Sequence, residues 1–267
     1  DCQQLAEFAY STPLQLGPIP VYMRGVLKAM EEDGEEFYPG DVILHNHPYY
    51  GASHGPDIGI GIPIFRGEDL IGYSFTTAHH LDIGSSSPGS CGIVDAVDAF
   101  AEGLQFKAVK IYEKGVKNRQ VWRMLRHNIR SAQVVGGDIE AQVASCRVGE
   151  QRFLELVDQY GLDTVLAASE VLMNYSERMI RQAVEKLPDG TYSAEGFIDG
   201  FLDDPDPSKK DLKIAVTVTI DGSDMTIDLT GTAPQVDDRP INMPFIGTVD
   251  IAIFVTLRSV LLDTALM

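Results

Sequence analysis

Apolar positions recur along this chain with two different periods, and the changes of period divide it into three zones. Residues 18–33 (PIPVYMRGVLKAMEED) place apolar side chains three and four apart, which predicts a helix. Tyr38-Pro39-Gly40-Asp41 has turn chemistry, and Val42 to Leu44 then begins a strand. Two more strands are predicted at Ile58 to Phe65 and Leu70 to Ala78, joined in hairpin fashion by Arg66-Gly67-Glu68-Asp69. The first zone, residues 1–117, is therefore expected to be mainly β.

From Asn118 to Leu187 the helical spacing takes over, in VWRMLRHNIRSAQVV, IEAQVASCRVGEQRFLELVDQYG and DTVLAASEVLMNYSERMIRQAVEKL. Two or three long structural helices follow, with hinges expected near Gly136-Gly137 and Gly161. Asp163 and Thr164 are candidate caps for the last helix, and Pro188-Asp189-Gly190 should stop it, closing a helical zone at 118–190. In the third zone, 191–267, Ile214, Val216, Val218 and Ile220 alternate with Ala215, Thr217 and Thr219. Asp221-Gly222-Ser223-Asp224 then turns the chain and Met225 to Leu229 returns, a half-buried hairpin. The preceding DDPDPSKKD is polar and proline-containing, so it is expected in solvent at a subdomain edge. IGTVDIAIFVTLRSVLLDTALM is strongly apolar, but Asp250, Arg258 and Asp263 interrupt it, favouring a buried helix over a membrane span. The expected fold class is α+β: a mixed β-strand amino-terminal zone, long central helices, and a carboxy-terminal hairpin with an apolar helix.

Charge narrows the partners. Lys plus Arg total 21 against 39 Asp plus Glu, and a net charge of -18 repels phosphate backbones and anionic bilayers. Nucleic acid and membrane surfaces are thus not expected as partners. Cys2, Cys91 and Cys146 are odd in number and lack CxxC spacing, which suits a reducing compartment and supplies neither a disulfide framework nor a thiolate zinc site. No signal peptide is recognisable, so a cytoplasmic location is expected, and the sequon Asn174-Tyr175-Ser176 inside a helical pattern is read as chance. The abrupt ends suggest a piece of something longer.

The chemistry concentrates in the first zone. Five of the six histidines, His45, His47, His54, His79 and His80, fall in LHNHPYYGASHGPDIG and TAHHLDIGSSSPGS. His54 and Asp57 are three apart on a glycine-rich turn, where their side chains can converge. Adjacent strand residues point to opposite faces, so at most one of His79 and His80 can join them. Two histidines and one carboxylate make an open site for zinc, manganese or iron, with water or substrate completing the shell; histidines bonded to backbone carbonyls are the plain alternative. Asp82 is placed either to orient a histidine or to cap the following loop. Gly84 to Gly92 offers amides and hydroxyls suited to an anion, without the glycine order of a nucleotide site, and Cys91 is read as a buried thiol.

HNHPYYGASHGPDIGIGIPIF, AHHLDIG, PGS and AEGLQFKAVKIYEKG, in that order, resemble the hydantoinase B family, over nearly all 267 residues. That family includes the large subunits of acetone and acetophenone carboxylases and of ATP-dependent lactam hydrolases. The resemblance implies one half of an ATP-dependent machine. A hydantoinase A-type partner subunit binds ATP and phosphorylates a carbonyl or amide oxygen; this subunit then hydrolyses or carboxylates the activated species. It also implies His54, Asp57 and His79 as ligands of a divalent metal; His80 and Asp82, beside them in AHHLDIG, are the candidate catalytic residues. A structural subunit that only docks the ATP-binding partner is the alternative. The family usually carries Asp after the motif asparagine, where this chain has His47.

Overall fold

The alternation in DIGIGIPIFR forms the centre of the structure. The computed structural model describes residues 2–7, 17–90, 98–237, 239 and 245–261. Strand β2 (Asp57–Arg66) turns Ile58, Ile60, Ile62 and Ile64 to one face and Asp57, Gly59, Gly61 and Pro63 to the other. All four isoleucines are buried, and each such side chain contributes about 1.5–3 kcal/mol on leaving water. On the other face the two glycines leave room for aromatic rings to lie against the strand. A Cβ at Gly59 would sit 2.5 Å from the Phe75 ring and 2.9 Å from that of Tyr22.

Around β2 the sheet is antiparallel in the order β3-β2-β1-β4-β5, with β1 Val42–His45, β3 Asp69–His79, β4 Val109–Glu113 and β5 Val116–Lys117. Helix α1 (Ile19–Glu32) covers the glycine face, packing Met23, Val26 and Met30 onto Ile43. Gly25 lets it approach closely, since a Cβ there would lie 1.6 Å from the Tyr50 carbonyl oxygen. The isoleucine face is covered by α2 (Arg119–Asn128) and α3 (Ala132–Tyr160) through Trp122, Leu125, Ile139 and Val143. Asn118 starts α2 by accepting the amides of Gln120 and Val121. The result is three layers, helix, sheet and helices.

Three expectations change. Helix α3 runs without a hinge through Gly136-Gly137, and the break lies before it, where buried Ile129 is extended. Packing against the sheet outweighs the roughly 1 kcal/mol helix penalty of each glycine. Gly161, at φ 83°, does divide α3 from α4 (Leu162–Val184), but no side chain caps α4; Asp163 only occupies its first turn. The expected carboxy-terminal hairpin forms between β7 (Lys210–Asp221) and β8 (Asp224–Asp228), and β6 (Gly190–Gly200), pairing along β7, extends it to a three-stranded sheet. DDPDPSKKD is largely exposed as expected, but within it Asp204 is buried and paired with Lys209 and Arg239. Helix α5 (Asp250–Leu261) buries only Ile251 among its described residues. No described helix is long and apolar enough to cross a membrane.

Candidate metal centre

Asp57 and His79 are direct cross-strand partners at one end of the β2–β3 ladder. By the alternation of both strands they share the α1 face with Gly59, Phe75 and Thr77, while Ala78 and His80 turn toward α3. His54 arrives from the turn before β2, which closes through Asp57 N–H to His54 O (3.1 Å) and His80 N–H to Pro56 O (2.9 Å). From α1, the buried Tyr22 hydroxyl donates to Asp57 O (3.0 Å) and accepts Ser53 N–H (3.1 Å), fixing both ends of that turn.

The three side chains close a triangle. His54 Nε2 is 3.2 Å from Asp57 Oδ1 and 3.2 Å from His79 Nδ1, and His79 Nδ1 is 3.0 Å from Asp57 Oδ1. The two imidazoles stack with centroids 5.0 Å apart. Hydrogen bonds satisfy this arrangement poorly: with both nitrogens protonated, two N–H groups crowd one oxygen and face each other. A cation satisfies it well, since metal–ligand bonds of about 2.0–2.2 Å hold adjacent ligand atoms roughly 3 Å apart. The electrostatics agree. Burial disfavours charge on His54, yet Asp57 and Glu102 outweigh it and raise its pKa to about 9, so the site attracts positive charge. Burial likewise works against the Asp57 carboxylate, but His54 and His79 hold it below its usual range.

A family model described as hydantoinase B/oxoprolinase matches residues 1–266. The chain belongs to this family. A protein of Pseudomonas sp. (strain NS671), provisionally named as the B-type component of a D-/L-hydantoinase, is 66% identical over 262 residues, covering 98% of this chain and 44% of that protein. The caprolactamase beta subunit of Pseudomonas jessenii is 33% identical over 227 residues, 84% of this chain and 38% of its own. The crystal structure of the ATP-dependent caprolactamase from the same organism matches with a TM-score of 0.76 at 28% identity, covering 91% of this chain and 39% of that one. Nucleotide-free acetone carboxylase matches with a TM-score of 0.84 at 19% identity over 94% of this chain and 34% of its own, a likeness of fold. The chain thus spans less than half the length of the relatives it matches.

Of the remaining candidates in this member of the hydantoinase B family, none joins the triangle. His80 is fully buried and its Nε2 meets Gln142 Oε1 at 2.9 Å, while its Nδ1 has no partner; burial lowers its pKa. Asp82 takes the loop-capping option: it accepts Gly84 N–H (2.6 Å) and Gly89 N–H (3.4 Å) and pairs with Arg130 at 2.7 Å. The Gly84 and Gly89 amides that an external anion would need are therefore engaged by an internal one; Cys91 and Gly92 lie outside the described residues. His45 is a satisfied core histidine, its Nδ1 accepting Ala108 N–H (3.2 Å) and its Nε2 donating to Tyr50 O (3.0 Å). His47 packs edge-on against Tyr50 at 5.1 Å, and burial lowers its pKa. Spacing alone does not reveal Asn46 and Glu102. Fully buried Asn46 donates to Gly55 O (2.6 Å) and Leu104 O (2.9 Å) and accepts Phe106 N–H (2.6 Å). Glu102 stands beside His54, Oε1 to Nδ1 3.5 Å. Both lie within segments shared with the family, HNHP and AEGLQF, which is their only signal in the sequence.

Proposed function

We propose that this chain carries the divalent-metal site of an ATP-dependent complex that opens a cyclic amide of the hydantoin type. The observation that carries the proposal is the triangle: three ligand atoms from separate points of the sequence, 3.0–3.2 Å apart, with no better use than holding one cation. His54, Asp57 and His79 would hold zinc, manganese or iron, leaving coordination positions for water or substrate. A bound ion would supply Lewis acidity at a carbonyl. ATP belongs to a hydantoinase A-type partner subunit, which transfers its phosphoryl group to the amide oxygen. Across the whole reaction the ring C–N bond breaks and two waters are consumed, one to hydrolyse the amide to an acid and an N–H group and one to release the transferred phosphoryl group as phosphate, with ADP leaving the partner subunit. The hydantoin class is favoured over ketone carboxylation by the 66% identity to the hydantoinase relative.

His80 and Asp82 take supporting roles in this reading. His80 anchors the end of β3 to α3 through Gln142, and Asp82 staples the following loop to Arg130. The test is metal analysis of the complete subunit with its ATP-binding partner, beside ATP-dependent hydantoin opening. His79→Ala should lose stoichiometric metal and turnover together. Full turnover by metal-free complex would refute the metal reading and leave a structural, docking subunit; turnover of a ketone with bicarbonate but not of a hydantoin would refute the substrate class.

A further inference from the structure

A neutral imidazole has one proton for two nitrogens, and which one carries it decides whether it can bind metal. His54 points Nε2 at Asp57 and His79, so a ligand role needs the proton on Nδ1. Nδ1 faces the Glu102 carboxylate. That carboxylate is not a chance neighbour. Its Oε2 accepts the N–H of Gly55, the residue after His54, at 2.8 Å. A Cβ at Gly55 would lie 3.1 Å from both the Cβ and Oε2 of Glu102, so glycine is what allows the approach. Glu102 ends a helical turn, Ala99–Glu102, capped by the Asp98 side chain on Phe100 N–H at 3.0 Å. Asn46 then ties the same two segments together again, through Gly55 O and Leu104 O.

We propose that Glu102 is a positioning residue for the metal centre. It holds His54 as the Nδ1–H tautomer and presents the Nε2 lone pair to the ion. The inference rests on the metal reading above and deepens it. With an ion held by His54, Glu102 at His54 Nδ1 would complete the carboxylate–histidine–metal arrangement that orients many ligating imidazoles.

The test compares Glu102→Gln and Glu102→Ala in the complete subunit, by zinc and manganese affinity in competition with a chromophoric chelator. Glutamine has one acceptor and one N–H2 group. If its oxygen takes Gly55 N–H, its N–H2 faces His54 Nδ1 and favours the wrong tautomer. Glu102→Gln should therefore weaken binding about 10- to 100-fold and at least as much as Glu102→Ala. Thermal unfolding of the metal-free proteins should be alike for the parent and Glu102→Gln. Parental affinity in Glu102→Gln overturns the proposal. So does a much larger loss in Glu102→Ala than in Glu102→Gln, or an affinity loss tracked by lower metal-free stability, since both mark a packing role. His54→Ala in the same assay separates the two ideas: if it also keeps its metal, the metal reading itself has failed.

Discussion

Replacing Asn46 by alanine tests the frame on which the proposed metal centre is built. The side chain is wholly buried and makes three hydrogen bonds of 2.6, 2.9 and 2.6 Å to backbone groups of Gly55, Leu104 and Phe106. Alanine leaves two carbonyls and one N–H unpaired in the interior, each costing about 1–3 kcal/mol. Some relaxation is expected, so the net loss should be about 3–6 kcal/mol, a large part of the roughly 5–15 kcal/mol that holds a domain folded. Urea unfolding of the metal-free subunit reports it, followed by fluorescence of Trp122, the chain's single tryptophan, which sits in the core beside Tyr112. Asn46→Asp keeps the shape but turns a carboxylate oxygen toward two carbonyl oxygens, so near neutral pH it should be no milder than alanine. Because Asn46 joins the segments bearing His54 and Glu102, metal affinity should fall in both variants. A loss below about 1 kcal/mol in Asn46→Ala, with parental metal affinity, would refute the claim that these bonds organise the site.

Other expectations follow from the same geometry. Burial lowers the His45 pKa to about 4 from 6.5. The unfolded imidazole therefore takes up its proton first as pH falls, so the stabilisation is complete above pH 6.5 and is lost between there and about 4. This amounts to about 3 kcal/mol, and His45→Gln should flatten that part of a stability-versus-pH curve; an unchanged slope would remove His45 as its source. Gly137→Ala meets open space within a continuous helix and should stabilise by about 0.5–1 kcal/mol, whereas a real hinge there would make it destabilising. Gly25→Ala drives a methyl into the Tyr50 carbonyl and should cost about 3 kcal/mol in thermal or urea unfolding.

Some of this structure is legible from residue pattern because it is local. The IGIGIPI alternation predicts β2, and the RGED turn predicts its hairpin to β3, close to the observed ends. Strand geometry also requires His79 and His80 to part. The differences arise where local signals meet tertiary packing. Gly136-Gly137 reads as a hinge by propensity, but the helix is held straight by the sheet beneath it. TYSAEGFIDG has no marked alternation of its own, and forms β6 where β7 supplies its hydrogen-bond partners.

The sequence by itself determined the periods, and hence the elements, the acidic surface and the family, since these depend on neighbours a few residues apart. Tertiary structure alone decided what each histidine faces. His45 and His54 are the same residue type in one short stretch of chain, yet one is sealed between Tyr50 O and Ala108 N–H while the other faces Asp57, His79 and Glu102. That difference is set by which distant segments close around each ring, 25 residues apart along the chain for His79 and His54 and 63 for Ala108 and His45. Short-range pattern carries no information about such closures; the pairing of β1 with β4 and of β2 with β3, and the packing of α1 on the sheet, create them.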